Sequence, residues 1–362
     1  MQLYILKKIL FTTILLATLS CADTKKNIEE DRSLMDQSYF RHLSYLINIK
    51  NEVAQKHWPD FAENDFYAPA VYYSKENAFI LNPNEHIRKI TDRPQELTFN
   101  KVPVIKLPET YTDTTSLKFN NGVTSDSTSF AYMQPVLYFQ SYELTKKFLQ
   151  DDLVDIQDWS IMVSHELFHS YQWSIPEMFE YAKTVSKHMP GGPDKFLGSY
   201  HRDLAWYKES VKQENDLLKA IWIDGADLIQ NLNKYDSLRN QRIERIKREY
   251  DVDIRIAEDY EITIEGNARY FESLVKRYLS QYSPSTKSLN KEDQAFITDM
   301  FKGYEVSKDK NLSDIFNNRY YYVIGYNISM ILEKYQVDYK DSIYREEQNI
   351  HHYLEELKSS QP

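Results

Sequence analysis

The chain has 362 residues, with 44 Lys and Arg against 54 Asp and Glu and a formal net charge of −10. That balance argues against work on nucleic acid or on an anionic membrane surface, both of which need a positive footprint. A hydrophobic share of 42%, a third of it aromatic at 14%, fills a real core and excludes wholesale disorder. One Cys leaves no internal disulfide and no multi-cysteine zinc site. With only 8 Gly, and neither GxGxxG nor GxxxxGK[ST] in the sequence, phosphate-cradling loops of those kinds are not expected.

Residues 1–20 read as a secretory signal peptide. Lys7 and Lys8 precede an apolar run from Ile9 to Leu19 that is too short to span a bilayer as a helix. The only Cys, Cys21, follows directly. The segment resembles a bacterial lipoprotein signal, with Thr18 where the usual lipobox has Leu and Leu19 beside it. The resemblance implies a lipid anchor on Cys21, and a diacyl chain with an amide-linked acyl chain would hold stably. Residues 21–37 then form a polar tether, in which Asp23 resembles part of a surface-export signal. The expected location is outside the cytoplasm, anchored to the cell envelope at the outer membrane or the cell surface.

Residues 38–362 are expected to form one domain. From Ser38 to Trp58 the positions of Tyr39, Leu43, Leu46, Ile47 and Val53 follow helical spacing. Val71–Tyr73, Ala78–Leu81 and Val102–Ile105 read as short strands, the second closed by the turn Asn82-Pro83-Asn84. Pro103 argues for an edge strand or an extended loop. Residues 110–130, rich in Thr, Ser, Asp and Asn, read as a loop, and Phe130–Tyr142 as a further strand. From Asp155 the pattern is mostly helical, broken at Pro176, at Pro190–Pro193 and near Ser283-Pro284. Between Ser237 and Tyr250, Arg239, Arg242, Arg245 and Arg248 recur every three residues and read as a solvated helix face opposite Ile243 and Ile246. Strands first and helices after make an α+β fold.

Ser164-His165-Glu166-Leu167-Phe168-His169 contains HExxH in helical context. Four residues apart, His165 and His169 stack on one helix face and can bind one zinc ion. Glu166, about 100° round the helix, can overhang the open position as a general base. Tetrahedral zinc needs a third protein ligand. The HExxHxxGxxH pattern is excluded, because Gln172 and Ile175 stand at its Gly and His positions. Asp194, in a stretch that keeps the outer Gly residues and the Asp of a GTxDxxYG element, is one remaining candidate. Glu265, in Glu265-Gly266-Asn267-Ala268-Arg269-Tyr270-Phe271-Glu272, is another, and Glu209 and Glu214 are further carboxylates within reach in sequence.

HELFHSYQ at 165–172 followed by EGNARYFE at 265–272 resembles the gluzincin type of HExxH zinc metallopeptidase, many of which pair HExxH with EGxAxYxE. The resemblance implies a zincin-like fold, Zn2+ as cofactor, a protein or peptide as substrate, and Glu265 as third metal ligand. Small Gly266 and Ala268 let the second helix approach the HExxH helix. Arg269 and Glu272 share the face of Glu265 and are candidates to orient a ligand. Arg319-Tyr320-Tyr321-Tyr322-Val323-Ile324-Gly325 is similar to a helix that returns to the site, which makes Tyr322 and Tyr321 candidate oxyanion donors, Tyr322 foremost; Arg269 is a third candidate. His188 and His201 read as surface residues. The implied activity is peptide-bond hydrolysis by a metal-activated water, with Glu166 as general base. The same motifs would also suit a catalytically inactive zincin-like binding module, and the aromatic content with the anchor would suit a cell-surface scaffold.

Overall fold

A computed structural model of the protein describes residue 34 and residues 37–361, apart from 93, 113–114, 150–154, 296, 299 and 314–318. The signal segment, Cys21 and nearly all of the tether lie outside the described residues. The architecture is α+β, with a six-stranded mixed sheet in the N-terminal part and helices dominating after residue 155. The chain divides into two compact units. One holds Pro69–Ile156 with the chain up to Ile47 and Ser285–Ile297; the other holds Asn48–Ala68, Gln157–Pro284 and Thr298–Pro362.

In the first unit the strands are β1 (Ala70–Tyr73), β2 (Ala78–Leu81), β3 (Gln95–Phe99), β4 (Val102–Lys106), β5 (Phe119–Gly122) and β6 (Val136–Gln140), in the order β3-β4-β2-β1-β6-β5. Only β1 and β6 run parallel. Side chains alternate between faces. Val71, Ile80 and Ile105 are in register and bury one face with Ala78, Ile87 and Val136. Tyr72, Phe79 and Phe139 fill the other, where Phe40 from helix α1 (Ser38–His57) lies 5.0 Å from Phe79 and 5.2 Å from Phe99 between ring centroids. Helix α2 (Glu85–Ile90) is capped by Asn84, whose side chain accepts from the Ile87 N–H. Helix α3 (Tyr142–Leu149) follows β6.

Two expectations for this unit are corrected. β4 is an interior strand, paired with β3 and β2. Proline is tolerated there because the Pro103 carbonyl accepts from Asn82 N on the β2 side, at 2.9 Å. The missing N–H faces the same side, beyond Leu81 at the end of β2, so the bond it forgoes falls outside the β2–β4 ladder and the pairing with β3 is untouched. Residues 110–130 are not all loop. Phe119–Gly122 pairs antiparallel with β6, and this strand is held by its partner rather than by its own propensity, since Asn and Gly are poor strand formers.

In the second unit the long helices are α4 (Ile156–Ser174), α5 (Pro176–Ser186), α6 (Pro193–Asp203), α7 (Ala205–Trp222), α8 (Leu228–Tyr250), α9 (Arg255–Gln281), α10 (Tyr320–Lys334) and α11 (Ile350–Ser360). Pro176 and Pro193 begin α5 and α6 at positions where the missing N–H costs nothing. Asp227 caps α8 by accepting from Gln230 N, and Asp251 closes it in the left-handed region at φ 55°. The core over α4 and α9 is aromatic. Phe168 stacks on Phe271 at 5.3 Å, Trp58 meets Phe168 edge-on at 4.8 Å, and Phe61 meets Phe271 at 5.0 Å. Each such side chain contributes about 1.5–3 kcal/mol by burial. Nearby, buried Lys50 donates to the carbonyls of Phe61 (2.9 Å) and Asn64 (2.6 Å).

The arginine repeat on α8 is not a solvated face throughout. Arg248 is exposed and Arg245 half-buried, but Arg239 and Arg242 are buried. Arg242 makes a two-pronged pair with Glu214 (2.8 and 2.8 Å) and bonds Glu258 (2.6 Å) and Tyr207. Arg239 reaches Glu258 and Asp259, and His351 lies 2.9 Å from Asp259. A three-residue repeat drifts round the helix, so the four arginines do not share one environment. Likewise His201 is buried, stacked on Tyr320 at 5.3 Å, whereas His188 is exposed as expected. Among the described residues no helix is long and apolar enough to cross a membrane.

Candidate metal centre

HExxH lies in mid-α4 and Glu265 in mid-α9, so regular helix geometry fixes each side chain's origin. Phe168, next to His169, stacks on Phe271, next to Glu272, so the two helices meet beside the site. The result is a triangle of ligand atoms. His169 Nε2 lies 3.0 Å from His165 Nε2 and 3.1 Å from Glu265 Oε2, and His165 Nε2 lies 3.3 Å from Glu265 Oε2. Donors around tetrahedral zinc at about 2.0–2.1 Å stand roughly 3.3 Å apart. Two imidazoles and a carboxylate at this spacing fit a divalent ion of the zinc type, and among the described residues this is the group of His and carboxylate ligands that could hold a metal. His165 and His169 are buried, and the Glu265 side chain is 16% exposed.

Each imidazole is oriented by a neighbour. Glu272 Oε1 is 2.6 Å from His165 Nδ1, and Arg269 Nη1 donates to Glu272 Oε2 at 3.0 Å. Gln172 Oε1 is 2.7 Å from His169 Nδ1. The Gln172 amide nitrogen donates to the Ile264 carbonyl (3.0 Å) and to the Tyr344 hydroxyl (2.8 Å). A carbonyl can only accept, so the amide oxygen must face His169. That sets the proton on Nδ1 and leaves the Nε2 lone pair for a metal. Burial opposes charge on His165, but hydrogen bonds and charge from Glu265 and Glu272 hold its pKa up at about 10. Glu265 is held well below the usual carboxylate range: burial works against this, and His169 and His165 outweigh it.

Tyr322 projects from the first turn of α10 onto this group. Its ring lies parallel to His165 at 5.9 Å, with the Arg269 guanidinium 5.1 Å from the ring centre. Burial raises its pKa, as do the Glu265 charge and a hydrogen bond to Glu265, so it is a neutral O–H donor beside the centre. Tyr321 points elsewhere, donating to Asp194 at 3.1 Å. Asp194 is engaged by Arg319 (2.8 and 3.1 Å) and is not among the converging ligands. Glu214 belongs to the Arg242 pair, and Glu209 to an exposed contact with Gln213. Glu166 is partly buried on α4, next to His165 and outside the triangle.

Gly266 does not serve the approach of α9 to α4. It faces Gly325 of α10, whose Cβ, if it had one, would fall 2.6 Å from the Gly266 Cα. Sequence reasoning missed Gln172 as an orienting group. The available signal was its place three residues after His169, on the same face. Comparison of the chain with protein-family models, curated proteins and solved structures gives no match.

Proposed function

We propose that the protein is a zinc-dependent peptide hydrolase with a zincin-like catalytic domain, exported and held at the cell envelope by a lipid on Cys21. What supports the hydrolase reading is one observation, the convergence of His165 Nε2, His169 Nε2 and Glu265 Oε2 at 3.0–3.3 Å. The exported and anchored part rests on Lys7-Lys8, the short apolar run and Cys21.

His165, His169 and Glu265 would hold the metal. When bound, zinc supplies Lewis acidity and lowers the pKa of a water to about 7. Glu166 would accept a proton from the attacking water and return it to the leaving amine. Tyr322 donates its O–H to the carbonyl oxygen as negative charge develops there. Glu272 and Gln172 keep the two imidazoles in one tautomer and one orientation throughout.

Metal analysis and peptide cleavage test the proposal together. Wild type is expected to carry about one zinc per chain, and His165→Ala none. Glu166→Gln should keep the metal and lose cleavage by about 10²–10⁴-fold. Equal cleavage by Glu166→Gln removes Glu166 from the reaction. Metal without cleavage moves the reading to a binding module or scaffold, and wild type without metal sinks it. For the anchor, Cys21→Ala should move the protein from the membrane fraction to the soluble one.

A further inference from the structure

The face of α9 that supplies Glu265 carries another carboxyl one turn earlier. Glu261 is 4% exposed and lies about 6 Å along the helix axis from Glu265. The other buried acids of this unit are compensated: Glu214 and Glu258 by Arg242, Asp259 by Arg239 and His351, and Glu272 by Arg269 and His165. Glu261 is not. Among the described residues none makes a hydrogen bond or ion pair with it. The cation that acts on it, Arg319, is engaged by Asp194, while Glu265 and Asp194 add to burial in pushing its pKa well up. A buried carboxyl without a counter-charge is costly to a fold, and a site that receives its counter-charge from a ligand is the simplest reason to keep one.

We propose that Glu261 is the residue that recognises a positively charged group on the substrate, either a free N-terminal ammonium or a Lys or Arg side chain. This names a substrate class for the proposed peptidase and rests on that reading. The one-turn offset places the carboxyl about one residue's reach from the metal ligands. Ionised Glu261 pairs with the incoming cation and completes the local charge balance, whereas an acidic peptide would meet three carboxylates and a single cation already engaged.

The test is calorimetric titration of the full chain with four probes: leucinamide, N-acetyl-lysinamide, lysinamide and N-acetyl-leucinamide. At least one singly charged probe is expected to bind tenfold or more tightly than uncharged N-acetyl-leucinamide. Preference for leucinamide identifies the N-terminal ammonium, and preference for N-acetyl-lysinamide identifies the side chain. Glu261→Gln should lose the preference while keeping its affinity for the uncharged probe, its zinc content and a melting temperature no lower than wild type. Glu261→Asp should retain part of the preference, and it decides the matter if the Gln variant does not fold. A preference that survives in Glu261→Gln, or wild type that binds charged and uncharged probes alike, overturns the proposal. Failure of the metal reading would show separately, as missing zinc with the cation preference still scored.

Discussion

Gly266 of α9 and Gly325 of α10 touch backbone to backbone. A Cβ on Gly325 would overlap the Ile262 carbonyl oxygen and sit 2.6 Å from the Gly266 Cα, and one on Gly266 would fall 3.0 Å from Tyr326 N. The obstacles are main-chain atoms of regular helices, which cannot swing aside as a side chain would. Tyr322 is one turn before Gly325, so this crossing also sets how close its phenol comes to His165. Gly325→Ala is expected to destabilise the protein by about 1–3 kcal/mol or more through overpacking, despite the better helix propensity of Ala. Urea unfolding measures it, and an unchanged midpoint would show that the helices are not locked at this point.

On the proposed function, Gln172 and Glu272 would act on the metal through the imidazoles they orient. Gln172→Ala and Glu272→Gln should each lower zinc affinity by about 10–100-fold. Competition with a chromogenic chelator reads this directly. Affinities equal to wild type in both variants would mean that the ring orientations are set by packing alone.

Tyr322→Phe removes one hydroxyl and keeps the ring against His165. Zinc content should stay at the wild-type level while kcat falls by about 10²–10³-fold, the range for loss of one oxyanion donor. A rise in KM with kcat unchanged would instead assign Tyr322 to ground-state binding.

The buried charges around Arg242 give an acid limit. Burial alone would raise the Glu258 pKa, but Arg242 and Arg239, with hydrogen bonds from Arg242 and Tyr320, hold it at about 2, below its ordinary 4.5. Asp259 is lowered likewise, burial being outweighed by Arg239 and His351. A lowered folded-state pKa means stability that is fully present above about pH 4.5 and is lost as the pH falls toward 2. The melting temperature should therefore drop steeply across that window. Arg242→Met leaves Glu214 buried without its partner and Glu258 with Arg239 alone, and should cost about 3–5 kcal/mol at neutral pH. A variant as stable as wild type would remove the network from the account of stability.

Periodicity was enough to place α1, β1, β2 and the breaks at Pro176 and Pro193, because apolar spacing and proline act locally. Four-residue spacing likewise placed His165 and His169 on one helix face, while Glu265, which lies beside them, was singled out by the resemblance of its short motif. What depended on partners was not readable. β5 is made of residues that favour turns and exists because β6 pairs with it. Arg242 looks like any surface arginine until Glu214 and Glu258, 28 and 16 residues away, close on it. Gln172 appeared only as the residue that ruled out one ligand pattern, and its orienting contact needs Ile264 and Tyr344 from distant segments.

Lys50 makes the segment Asn48–Ala68 chemically reportable. Its ammonium is fully enclosed under the Phe61 ring, and burial, only partly offset by Asp65, brings its pKa down to about 7. Near neutrality this amine is far more often uncharged, hence more nucleophilic, than a lysine in water, yet no acylating reagent reaches it while the fold is closed. Its acetylation rate, followed by mass spectrometry against the exposed lysines, is therefore a clock for local opening of that stretch.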